Sequence, residues 1–170
     1  MTTQTPSVVA AGPGQRRFAT VAVAVQAILV NQAEQILLLR SPNRKQGWQA
    51  VSGALEAGET LLDGTLREVR EELGEDVQVR PLGMVHVETF HYDANVRYML
   101  GTYYLLAYQG GEIRPGDDMA GSAYRWWSLA ELDDEKPALH VTAKRWMLER
   151  AVELYRLWQD ASDQPLQPAI

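Results

Sequence analysis

Gly53-Ala-Leu-Glu-Ala-Gly-Glu59-Thr-Leu-Leu-Asp-Gly-Thr-Leu-Arg67-Glu68-Val69-Arg70-Glu71-Glu72-Leu73-Gly74 contains a helix with both of its ends marked. Leu62, Leu66, Val69 and Leu73 are spaced four, three and four, which predicts one apolar stripe on a helix over 62–73. Thr60 is a good N-cap with Asp63 three residues on, and Gly74 is a natural stop. At about 100° per residue the stripe gathers within roughly 40° of one direction, and Glu68, Glu71 and Glu72 fall in an arc of about 100° beside it. Like charges at these spacings destabilise a helix by roughly 0.2–0.5 kcal/mol per pair. A cation removes that repulsion, and hard carboxylate oxygens suit Mg²⁺ or Mn²⁺. Taken alone, Arg67 to Glu72 also reads as an ordinary solvated face, with Arg67 and Glu71 as an i,i+4 pair worth a few tenths of a kcal/mol.

Outward from this helix, Phe18 to Val30 and Gln35 to Arg40 read as strands joined by a turn at Asn31 to Glu34. Ser41 to Gly47 is a polar loop. Two further strands are expected near Val77 to His91 and Val96 to Tyr108, turning at Asp93-Ala94-Asn95 and ending at Gln109-Gly110-Gly111. Arg114 to Ser122 is a loop and Ala123 to Leu129 a short strand. Val141 to Trp158 is a last helix, carrying Ala143, Trp146, Met147, Arg150, Leu154, Leu157 and Trp158. One early and one late helix among strands imply α+β or α/β, with helices packed on a mixed sheet. Residues 1–16 and 160–170, rich in Pro, Gln and small residues, are expected to be flexible ends around a folded domain over 17–159.

A chain of 170 residues suits one domain with a sizeable core. The absence of cysteine excludes disulfides, thiolate metal sites and cysteine nucleophiles. Sixteen basic against 22 acidic side chains give a net charge of −6, which argues against a broad grip on nucleic acid. No run is long and apolar enough to span a bilayer and no signal-peptide layout stands out, so a cytoplasmic protein without membrane or nucleic-acid partners is expected.

The spacing Gly53-x5-Glu59-x7-Arg67-Glu68-Val69-x-Glu71-Glu72-x-Gly74 resembles the Nudix box. Seven fixed positions, each met by chance at about 7% over about 150 starting points, match at random with a probability on the order of 10⁻⁶. The resemblance covers roughly Ala19 to Trp158 and implies an α/β/α sandwich with a mixed β-sheet. It further implies a metal-dependent pyrophosphohydrolase, in which Glu68, Glu71, Glu72 and the Gly53 carbonyl hold Mg²⁺ or Mn²⁺. Arg67 would pair with Glu59 and hold the loop to the helix. Either Glu71 or Glu72 would take the proton of the attacking water. The box departs from the family at Glu75, where an aliphatic residue is usual. Many members add a late-loop acid about six residues before a Trp. Counted back from Trp126 that place holds Ala120, leaving Asp117, Asp118 and Glu112 as substitutes or as plain solvated acids.

Trp48-Gln-Ala-Val-Ser-Gly53 and Ala123-Tyr-Arg-Trp126 resemble the branch of that family containing dihydroneopterin triphosphate and deoxyadenosine triphosphate pyrophosphohydrolases. A nucleoside triphosphate or a dihydroneopterin triphosphate-like compound is therefore the expected small-molecule substrate. Trp48, Phe90 and Tyr98 are candidates to stack on its ring, or to pack in the core. Arg40, Arg44 and Lys45 are candidates for distal phosphates, and Glu88 for reading the base. His86 and His91, five apart, face opposite sides of a regular strand and make no metal pair. Dimers are common in the family, and Tyr155 and Trp158 are candidates for a homodimer interface or for the core. The alternative is a non-catalytic Nudix-fold sensor of a nucleotide or metabolite, although such proteins typically lose box carboxylates. A calcium module lacks its Asp-rich loop, and an isoprenoid-diphosphate isomerase lacks its cysteine.

Overall fold

The expected helix forms as α1, Leu61–Leu73. Thr60 Oγ1 accepts from the Asp63 N–H at 3.2 Å, and Gly74 leaves the helix at φ 102°, a conformation that favours glycine. Val69 and Leu73 are fully buried, with Leu66 partly so. This computed structural model describes residues 9–15, 17–19, 21–42, 47–91, 96 and 98–160.

Among the described residues eight strands and two further helices accompany α1, and helices pack on a mixed sheet. A small ribbon pairs β1, Val9–Ala11, with β2, Arg17–Ala19. The main sheet holds β3 (Ala22–Val30), β4 (Ile36–Arg40), β5 (Val51–Ala54), β6 (Gln78–Phe90), β7 (Met99–Gly110) and β8 (Ala123–Trp127). Its order is β6-β7-β3-β4-β8, with β5 also paired to β3. Among the described strands only β3 and β7 pair in parallel. β3 meets β4 at Val30 and Ile36, beyond the Asn31 turn, whose side-chain oxygen accepts from the N–H groups of Ala33 and Gln35. Further back, over Ala24 to Ala27, β3 pairs with β5. The sheet therefore forks between β4 and β5, bridged at Leu39 and Gln49.

Alternation along β3 divides the core. Ala27 and Leu29 face α1 with Leu37, Leu39, Leu106 and Met119. Ile28 and Val30 face α3, Arg145–Trp158, whose Met147, Leu148, Ala151, Val152 and Tyr155 form one buried stripe. Each such buried aliphatic contributes about 1.5–3 kcal/mol.

Several expectations are corrected. The strand read over 18–30 is split, because Arg17–Ala19 belongs to the ribbon and β3 starts at Ala22; Val9–Ala11 also gives the lead-in over 1–16 some secondary structure. The last helix starts at Arg145, after a 3₁₀ turn at Val141–Ala143, and its Trp146 and Leu157 are exposed. Tyr155 is core, and Trp158 packs against the core and Gly83, the second of the two places expected for them. A short helix α2, Leu129–Glu135, was not anticipated, nor was β5. The turn over 93–95 and the tail beyond Asp160 lie outside the described residues.

Candidate active site

β5 lies beside α1 at the fork, and the two are tied by one arginine. Arg67 Nε donates to Glu59 Oε1 at 2.8 Å, and Nη2 donates to Glu59 Oε2 at 3.2 Å and to the Ala54 carbonyl at 2.9 Å. Nη1 donates to Glu68 Oε1 at 2.6 Å and to Glu71 Oε2 at 2.8 Å. The Glu56 N–H closes the loop onto Glu59 Oε2 at 3.0 Å. The hydrogen bond to Glu59, and those to Glu68 and Glu71, hold the Arg67 pKa above its ordinary value, although burial opposes them. Arg67 in turn keeps the Glu59 carboxyl below the usual carboxylate range, helped by the Glu56 N–H.

Glu68 and Glu72 lean on the strand. The place a side chain at Gly53 would occupy is filled by the Glu68 carboxylate. Glu72, 1% exposed, reaches the Ser52 N–H with Oε2 at 3.3 Å. Gly64 serves the loop likewise: a Cβ there would stand 2.9 Å from Glu59 Oε2 and 2.8 Å from Leu55 Cδ1. Among the described residues no three acidic or histidine side chains stand together as a ready-made ion cage, since Arg67 lies between Glu68 and Glu71. The donor set nevertheless fits a hard divalent cation. It is all oxygen, and two carboxylates converge on the backbone of Ser52 and Gly53, where only a glycine leaves room.

The remaining candidates are dispersed. Arg40 lies over the Trp48 ring at 5.0 Å, and Trp48 packs edge-on against Trp127 at 5.3 Å. Trp48 thus serves the core, and Arg40 is a stacking partner in this structure. Glu88 is held by Lys144 Nζ at 2.6 and 2.9 Å and by the Tyr103 hydroxyl at 3.1 Å. Burial pushes the Glu88 carboxyl up, but the Lys144 and Tyr103 hydrogen bonds outweigh it and hold the pKa low. Burial and the Glu88 charge raise that of Tyr103. Phe90 is partly buried over Gly101, and Tyr98 is exposed against His91. Arg44 and Lys45 lie outside the described residues. Glu112 is paired with Arg114 at the surface, and the loop that carries it and Asp117 reaches the end of α1 through hydrogen bonds to the Leu73 and Glu72 carbonyls. Sequence reasoning missed Gly64, Tyr103 and Lys144; only Gly64 carried a signal, a helix breaker kept inside a helix.

Comparison with known proteins bears on the family and the fold. The NAD-capped RNA hydrolase NudC of Pseudomonas aeruginosa (strain LESB58) is 32% identical over 142 residues, covering 83% of this chain and 46% of that protein. The chain thus spans a little under half the length of that relative. An ADP-ribose pyrophosphatase from Streptococcus suis superposes with a TM-score of 0.64 at 22% identity, covering 81% of this chain and 93% of that one. The dihydroneopterin triphosphate pyrophosphohydrolase of E. coli superposes with a TM-score of 0.58 at 20% identity, covering 77% and 94%. These two show the fold alone and do not single out the dihydroneopterin branch. The model of the NUDIX domain matches residues 20–150, and the chain belongs to the Nudix family.

Proposed function

We propose that this chain hydrolyses a phosphoanhydride bond in a nucleoside diphosphate-linked compound. The observation that carries the reading is the convergence of Glu68 and Glu72 on Ser52 and Gly53, with Arg67 bracing α1 to the Glu59 loop. Glu68, Glu71, Glu72 and the Gly53 carbonyl would hold Mg²⁺ or Mn²⁺. Bound there, the ion would neutralise charge on the phosphoryl oxygens and acidify the attacking water. Glu71 or Glu72 accepts the water proton, the water oxygen bonds to phosphorus, and the bridging P–O bond breaks toward the departing phosphate. Arg67 fixes where Glu68 and Glu71 stand, and its link to the Ala54 carbonyl ties them to the strand.

Relatives named for action on NAD-capped RNA favour a pyrophosphate flanked by two nucleosides over a triphosphate. They also make a capped RNA end the one nucleic acid worth testing, despite the net charge of −6. Among the described residues no helix is long and apolar enough to cross a membrane, and we read the protein as cytoplasmic. The test is product release from NAD, ADP-ribose, nucleoside triphosphates, dihydroneopterin triphosphate and NAD-capped RNA with Mg²⁺ or Mn²⁺. Glu71→Gln and Glu72→Gln are each expected to lower kcat by about a hundredfold or more, with Tm confirming a folded chain. Full activity in both variants, or no turnover of any substrate by the wild type, overturns the reading.

A further inference from the structure

The sheet face turned away from α1 carries polar groups that the hydrolysis does not use. Gln26, in the middle of β3, is 2% exposed, and alternation with Ala27 and Ile28 places it on the α3 side. Among the described residues its Oε1 accepts no hydrogen bond. Native chains keep such buried acceptors rare, because water is given up with nothing gained. Its surroundings are graded. Beside it is Gly101, where a Cβ would stand 3.5 Å from Gln26 Oε1 and 3.1 Å from Phe90 Cε1. The amide and the partly exposed Phe90 ring thus meet over bare backbone. On the same face Ala24, Ala22 and Ala54 make a flat, shallow shelf, the last two exposed. Glu88, pinned by Tyr103 and Lys144, stands beyond Gly101 on the far strand.

We propose that this shelf recognises a nucleobase, with Gln26 Oε1 accepting a ring or amino N–H from a flat ring that displaces Phe90 and lies on the alanines. The ion-paired Glu88 limits the far edge. This deepens the hydrolase reading and rests on it. The connection between the two places is short. Gln26 is the sheet partner of Ser52, whose N–H is held by Glu72. That is one strand spacing, about 4.8 Å. Over Val51–Ala54 β5 pairs only with β3 among the described residues, so a nucleotide can pass its free edge with phosphates on one face and base on the other.

Gln26→Met keeps the volume and removes the strong acceptor. On ADP-ribose, GDP-mannose and UDP-glucose it is expected to raise KM by about tenfold for the base the wild type prefers, leave kcat within about threefold, and flatten the preference. Its Tm should equal or exceed that of the wild type, since an unsatisfied acceptor is gone. Should Tm fall sharply instead, Phe90→Ala clears the ring that the base must displace and should lower KM with kcat unchanged. Unchanged KM and base preference in both variants overturn the proposal. Calorimetric binding of AMP, GMP, CMP and UMP separates it from the hydrolase reading. Equal monophosphate affinities for wild type and variants sink the shelf even if hydrolysis stands, and a selective loss in Gln26→Met supports it even if hydrolysis fails.

Discussion

Gly53 lacks a side chain because the Glu68 carboxylate fills the space one would need. Any Cβ must push Glu68 back along α1, and Glu68 is itself held by Arg67 Nη1. Gly53→Ala is therefore a test of geometry made without touching a charge. Overpacking of this kind costs about 1–3 kcal/mol, and a displacement near 1 Å at a reacting centre costs about a hundredfold in rate. The expected result is a modest fall in Tm with a kcat loss of that order, read by thermal melt and product release on one preparation. Wild-type kcat in Gly53→Ala would mean that Glu68 does not work from this position. Gly64 belongs to the same logic, since its missing side chain lets the Glu59 loop close on the helix.

At the scale of elements, α2 rests on a capping box. The Ser128 N–H and hydroxyl both donate to Glu131 Oε2, at 2.8 and 2.7 Å, while Ser128 Oγ accepts from the Glu131 N–H. Arg125 adds a bond to Glu131 Oε1 and lies 3.8 Å over the Trp127 ring. The Ser128 N–H first, then its hydroxyl and Arg125, hold the Glu131 pKa down at about 2 from an ordinary 4.5. A carboxyl depressed on folding stabilises above its unfolded value and loses that effect as pH falls through the folded one. Glu131→Gln should thus melt a few degrees lower at pH 7, and the gap should close between about pH 4.5 and 2. A gap that persists at low pH would show that the charge is not what Glu131 contributes. The box Ser128-x-x-Glu131 was the readable sign of α2, but seven residues are too few for periodicity to speak. β5, four residues ending at Gly53-Ala54, was hidden for the same reason. α1 was legible because thirteen residues give the helical period three full turns, and because its carboxylates take their place from that period alone. Lys144 and Tyr103 reach Glu88 only through strand register and the entry to α3, which no local pattern carries. Gln26 looked like a mere interruption of an apolar strand, since burial of its amide depends on both neighbouring strands.

At the scale of the molecule, an acidic chain of net charge −6 turns Glu68 and Glu72 of one helix toward β5, with Glu71 beside them on Arg67. Folding brings these charges together and the unfolded chain does not, so an ion held there stabilises the whole fold. The added stability is RT ln(1 + [ion]/Kd), about 2.7 kcal/mol at a hundredfold excess over Kd. For a domain of this size each kcal/mol moves Tm by about 2–4 °C. Saturating Mn²⁺ should therefore raise Tm by about 5–11 °C over protein in EDTA. Glu72→Gln should lose most of that rise, because Glu72 is buried between α1 and β5 and its carboxylate reaches the Ser52 N–H, where the ion is proposed to sit. The variant's own Tm in EDTA supplies the baseline, so a general weakening of the fold does not mimic lost binding. An equal rise in both proteins would place the ion elsewhere, and no rise in the wild type would deny the acidic face its cation.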